Sequence, residues 1–135
     1  MGQGYMLFGL LGILCRLGLM TYSSGAVERD IASLRTTGKK YAPTIPLARN
    51  DAKKLAEFMH DAIPVIIGPD FLLGAMHTFA NQVNENAKTF TSYFPLPELN
   101  HHFIEGLQFP HAAHRSVRFI SLTSSLAHPR IQTRS

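Results

Sequence analysis

The run Ile63-Pro64-Val65-Ile66-Ile67-Gly68 limits more than any other stretch what this chain can become. It is short, continuously apolar and rich in β-branched residues, with helical patterns on either side. A strand of that kind has no polar face to turn toward water. It must be covered on both faces, as strands of parallel sheets are. Gly68-Pro69-Asp70 is then the turn at its carboxyl end. Ligands of open α/β sheets collect beyond such ends, so this turn is a candidate wall of a site.

The flanking segments carry helical spacing. Asn50 is placed to cap a helix with Asp51 in its first turn and a core stripe of Leu55, Phe58, Met59 and Ala62. Asp70 is placed to cap a second helix over 71–83, which would bury Leu72, Ala75, Phe79 and Val83. His77 lies within that helix, where a lone histidine is expected to be packed or solvated. The segment from Thr89 to Leu96 reads as a connection stiffened by Pro95 and Pro97. A short helix from Glu98 to Leu107 follows, anchored by Ile104 and Leu107. Val117 to Leu122 is the second clear strand. Thr123-Ser124-Ser125 then forms a hydroxyl-rich loop, read as a helix N-cap in preference to a phosphate contact. Two strands alone make a poor sheet with exposed edges.

Toward the amino end, Tyr5 to Met20 is strongly apolar but is interrupted by Arg16. The uninterrupted run from Gly4 to Cys15 is too short for a membrane helix. A signal peptide would need basic residues before the apolar run, and none is there. A buried helix is expected instead, with a small membrane-attached protein as the weaker reading. Val27, Ile31 and Leu34 next recur at helical spacing, giving an amphipathic helix from Ala26 to Arg35 that Gly38 should end. Lys39-Lys40, Pro43 and Pro46 then read as an extended, solvent-facing connection.

A chain of 135 residues with 45% hydrophobic content has material for one core. The lone Cys15 cannot form an intrachain disulfide, which fits a reducing cytoplasm. The net charge of +4 is uneven: residues 1–49 carry +4, 50–110 carry −4 and 111–135 carry +4. Arg115, Arg118, Arg130 and Arg134 are scattered over a strand and a tail rather than gathered on one element, so a nucleic-acid partner is not expected.

The densest chemistry lies in Asn84-Glu85-Asn86-Ala87-Lys88 and in Pro97-Glu98-Leu99-Asn100-His101-His102. Glu85 and His101 stand sixteen residues apart. A carboxylate can take a proton from carbon, and an imidazole can move one between oxygens. The amides of Asn84, Asn86 and Asn100 can hold a sugar hydroxyl or orient the carboxylate without adding charge. Asn-rich segments also serve simply as turns and helix ends, with Glu85 a solvated charge. Seven histidines raise the question of a metal, through His111-x-x-His114 and the His101-His102 pair. Cys15 is remote and no carboxylate adjoins His111 and His114, so metal catalysis is not expected.

Four stretches resemble one family. Ile63-Pro64-Val65-Ile66-Ile67-Gly68, Asn81-Gln82-Val83-Asn84-Glu85-Asn86-Ala87-Lys88, Pro97-Glu98-Leu99-Asn100-His101 and His128-Pro129-Arg130-Ile131-Gln132 are similar to the C-terminal sugar-isomerase (SIS) domain of bifunctional phosphoglucose/phosphomannose isomerases. The resemblance implies an α/β, three-layer αβα domain with a parallel sheet over residues 50–135. Residues 1–49 would be linker helices between domains, and the chain reads as truncated at both ends.

The resemblance also implies interconversion of glucose 6-phosphate or mannose 6-phosphate with fructose 6-phosphate, without a cofactor. His101 would open the sugar ring and Glu85 would carry the proton between C1 and C2, with Asn84, Asn86, Lys88 and Asn100 beside the substrate. A helix points adjacent side chains about 100° apart, so only one of His101 and His102 should face Glu85. The family motif matches His101. The family imidazole reaches a neighbouring subunit's site, which implies a homodimer. The reading from another class is a non-catalytic sugar-phosphate-binding or subunit-interaction module.

Overall fold

In the computed structural model, which describes residues 2–133, the apolar run forms β1, Ile63–Pro69, buried from Pro64 through Pro69. Two further strands pair with it, both parallel: β2, Ser92–Leu96, and β3, Val117–Ser121, in the order β2-β1-β3. The register sets Ile66 against Tyr93 on one side and Ile120 on the other. β1 is thus the only strand of the three with neighbours on both edges. The chain leaves β2 through a cis Leu96–Pro97 bond.

β2 was not legible in the sequence, where Pro95 makes this segment look like a connection. It is an edge strand, and there a missing N–H need not break a ladder on both sides. The sheet therefore has three strands rather than two.

Side chains alternate across the sheet with period two and divide the core into two layers. Val65, Ile67, Leu96 and Leu99 form one, with Phe94, Phe103, Val117 and Ile131 against them. Ile66, Met76, Ala80 and Ile120 form the other, with Leu55, Met59, Phe79, Tyr93 and Leu122. The second layer is covered by α3, Asp51–Met59, and α4, Leu73–Gln82. The first is covered by α5, Leu99–Gly106, and by α7, Pro129–Gln132; the short α6, Ala112–Ser116, leads into β3. This is an αβα sandwich.

Several helix details depart from the pattern read in the sequence. A single turn of 3-10 helix, Asp70–Leu72, precedes α4, so Asp70 Oδ1 accepts the Phe71 N–H at 2.8 Å and does not cap α4 itself. That turn rotates the buried face to Met76 and Ala80, while Ala75 is exposed. Phe58 is also exposed, with the Arg118 guanidinium 5.8 Å from its ring centroid. The cap on α3 is as expected: Asn50 Oδ1 accepts the Lys53 N–H at 3.1 Å. Its Nδ2 donates to the Ala42 carbonyl at 3.3 Å, and the side chain is fully buried.

The chain divides into two units, Met1–Lys54 and Leu55–Ser135. The first holds α1, Gln3–Arg16, and α2, Ser24–Lys40. Ser23 caps α2, accepting the Ala26 N–H at 3.2 Å. The Tyr22 hydroxyl donates to Asp30, and this bond raises the Tyr22 pKa. Gly38 does not end α2, which continues through Lys39 and Lys40; two lysines in a last turn complement the helix dipole. α1 forms as a helix but buries none of its residues, contrary to the buried helix expected from its apolar sequence. Among the described residues no helix is long and apolar enough to cross a membrane. Arg134, the last of the four scattered arginines, lies outside the described residues.

Two outcomes follow from this packing. A Cβ at Gly68 would stand 2.9 Å from the Leu122 carbonyl oxygen and 3.3 Å from Met76 Sδ. Gly68→Ala is therefore expected to lower unfolding stability by about 1–3 kcal/mol in urea denaturation. At the start of α3 the Lys54 ammonium donates to Asp51 at 3.0 Å and holds its carboxyl below the usual carboxylate range. A depressed folded pKa contributes stability above the unfolded value and loses it as pH falls through the folded one. The melting-temperature gap between the wild type and Asp51→Asn should therefore close on acidification.

Candidate active site

α4 does not stop cleanly. Its last turn widens into a π-helical turn, Val83–Ala87, closed by Lys88 in the left-handed region at φ 54°. Turns of this type are frequent at functional sites. Asn84 fixes this one in place. Its Nδ2 donates to the Ala80 and Thr91 carbonyls, each at 2.9 Å, and its Oδ1 accepts the Thr91 N–H at 3.1 Å. Both amide hydrogens and the carbonyl thus serve the backbone, so Asn84 orients the turn rather than reaching outward. Asn86 Nδ2 donates to Gln82 Oε1 at 2.6 Å. Glu85, Asn86 and Lys88 are exposed.

His101 sits in the first turn of α5, where its N–H donates to the Glu98 carbonyl at 3.0 Å. Leu99 is buried and anchors that turn, and Phe103 packs on Phe94 with ring centroids 4.6 Å apart. An open cleft of about 530 Å³ is lined by Pro97, Glu98, Asn100 and His101. Asn100 is half-buried and His101 exposed.

The fold does not bring Glu85 and His101 together within the chain. Asn84 ties the Glu85 turn to Thr91, at the amino end of β2, whereas His101 follows Leu96 at its carboxyl end. A five-residue strand advances about 13 Å between its first and last Cα. The two residues also follow different layers: α4 packs with Ile66 and Ile120, and α5 with Val65 and Ile67. Within the chain, Glu85 and His101 therefore stand apart.

His101 and His102 do not diverge as helix geometry alone suggests. Their ring centroids are 4.0 Å apart with planes tilted by 44°. Glu98 Oε1 lies 3.6 Å from His102 Nε2. Beside His111-x-x-His114 and the His101-His102 pair, the sequence also carries a carboxylate, Glu98, at helical spacing from that pair. Its positions three and four residues before them were the available signal.

His77 stacks on Tyr93, ring centroids 5.2 Å apart, which gives it a packing role. The hydroxyl loop after β3 is not a helix cap. Ser124 Oγ accepts the Leu126 N–H at 3.1 Å, while α7 is capped by His128 Nδ1, which accepts the Arg130 N–H at 3.2 Å. Gln132 Nε2 closes the loop by donating to the Ala127 carbonyl at 2.7 Å. Thr123, Ser124, Ser125, Ala127 and Gln132 line a cavity of about 240 Å³ there.

Parallel strands between two helical layers make this an αβα domain of the sugar-isomerase type. The chain belongs to the family described as bacterial phospho-glucose isomerase C-terminal SIS domain, whose model matches residues 48–135. A bifunctional phosphoglucose/phosphomannose isomerase from Caldicellulosiruptor bescii is 29% identical over 111 residues, covering 79% of this chain. The aligned part spans only 32% of that relative. No solved structure matches the chain.

The Asn84 bonds generate a contrast. Asn84→Ala leaves the buried Thr91 N–H without its partner and is expected to cost about 1–3 kcal/mol in urea denaturation. Asn86→Ala, at an exposed position, should stay within about 0.5 kcal/mol of wild type.

Proposed function

We propose that this domain contributes to an aldose–ketose isomerase that interconverts glucose 6-phosphate or mannose 6-phosphate with fructose 6-phosphate. The observation that carries the reading is Glu85 standing exposed on a π-helical turn whose backbone is locked by Asn84. A free carboxylate on a fixed scaffold suits a base that must meet one carbon-bound proton repeatedly. Family membership over residues 48–135 and the name of the Caldicellulosiruptor relative support the substrate class.

In this reading the His101 imidazole moves a proton between the ring oxygen and the anomeric hydroxyl, which opens the sugar. Glu85 then takes the proton from C2 of the open-chain aldose. The electron pair of that C–H bond forms the C1–C2 double bond of an enediolate while the carbonyl oxygen at C1 gains negative charge. Return of the proton from Glu85 to C1, with transfer of the O2 proton to the O1 oxyanion as the C2 carbonyl forms, leaves the ketose. Asn86 and Lys88 border Glu85 on the same turn, and Asn100 borders His101 in its cleft; these are the proposed substrate contacts. Asn84 is a positioning residue.

Because the two groups lie at opposite ends of β2, the working pair is assembled from two copies, Glu85 from one and His101 from its partner. This supports the homodimer.

The test is fructose 6-phosphate formation by the chain, alone and mixed with the remainder of the Caldicellulosiruptor relative. Glu85→Gln is expected to lower turnover by about 10²–10⁴-fold. Mixing Glu85→Gln with His101→Ala chains should restore part of the activity, since a mixed dimer holds one site with both groups intact. Turnover that survives Glu85→Gln would sink the assignment. No turnover from folded protein under either condition would favour a non-catalytic sugar-phosphate-binding module.

A further inference from the structure

Glu98, His101 and His102 are, among the described residues, the one group of three or more metal-ligating side chains whose ligand atoms all lie within 4.8 Å of one another. We propose that they form a binding site for a divalent transition-metal ion of the zinc class. The donor set is one carboxylate and two imidazoles, a combination that zinc sites use with a further position left to water.

The geometry is close to what the ion needs. Two ligands at 2.0–2.1 Å from a tetrahedral ion stand about 3.4 Å from each other. Glu98 Oε1 and His102 Nε2 are already 3.6 Å apart. The His101 ring lies 4.0 Å from that of His102, centroid to centroid. Small rotations of exposed side chains complete the set, while the backbone stays fixed. That backbone is the first turn of α5, held by the buried Leu99 and by Phe103 on Phe94.

The cluster has little to do for stability. The side chains of His102 and Glu98 are 72% and 68% exposed, and exposed pairs of this type contribute little to folding. The cleft beside Pro97, Glu98, Asn100 and His101 leaves room for the ion and its water. His111 and His114, by contrast, stand on α6 and its cap without a third ligand in the same group. A bound ion would occupy the His101 imidazole and so hold it away from proton transfer. That consequence rests on the isomerase reading; the metal site itself does not.

The test is calorimetric titration of the purified chain with Zn²⁺, comparing wild type with Glu98→Gln, His102→Gln and a His111→Gln/His114→Gln double variant. Even outer-shell partners of metal sites are worth about 10–100-fold in affinity, so loss of a ligand should weaken binding at least about tenfold. The expected result is one site per chain, weakened to that degree by Glu98→Gln and by His102→Gln and unchanged in the double variant. Circular dichroism checks that each variant keeps its helices. No binding by the wild type would overturn the proposal, as would undiminished, wild-type affinity in Glu98→Gln and His102→Gln, or loss confined to the double variant. Because the readout is binding, a failed isomerase assay leaves this result interpretable.

Discussion

Everything that positions chemistry in this domain depends on β1 being covered on both faces. Ile66 is fully buried against Met76, Ala80 and Ile120, while Val65 and Ile67 face Leu96 and Leu99. Burying apolar surface from both sides of one strand is what joins α4 and α5 to the same sheet while keeping them in different layers. Parallel pairing on both edges then forces each connection to cross the sheet, so the chain must travel from one end of the strands to the other between β1 and β2.

That crossing explains where the functional groups come to rest. α4 starts beyond the carboxyl end of β1 and returns to the amino end of β2, delivering Glu85 there. β2 carries the chain back, and α5 begins beyond its carboxyl end with His101. Separation of the two is thus a consequence of topology and not of local flexibility. The proposed chemistry, which needs both groups at one substrate, is therefore tied to the proposed assembly of two copies.

Two amides show how polar groups maintain this arrangement from inside. Asn50 is fully buried and bridges the Ala42 carbonyl and the start of α3. Asn84 bridges the end of α4 and the start of β2. Each replaces backbone hydrogen bonds that the chain cannot make where regular structure ends, and buried backbone groups left without partners are costly. The wide turn around Glu85 is tied to both neighbouring elements because Asn84 bonds the Ala80 carbonyl before it and the Thr91 N–H and carbonyl after it.

The sequence by itself determined β1, its parallel setting, the Asn50 cap, the position of Glu85 at the end of a helix and of His101 at the start of another, and the family resemblance that the matched residues bear out at family level. These are written in short-range patterns: a β-branched run, a capping residue, apolar spacing. Only the tertiary structure decided that the Pro95 segment is a strand, because edge pairing depends on a partner that lies far away in the chain. It also decided that Met76 rather than Ala75 faces the core, since one turn of 3-10 helix shifts the phase of α4. And it alone set Glu85 and His101 at opposite ends of β2. Sixteen residues of separation state how much chain lies between two groups; the direction that chain takes is fixed by which faces of the sheet must be covered.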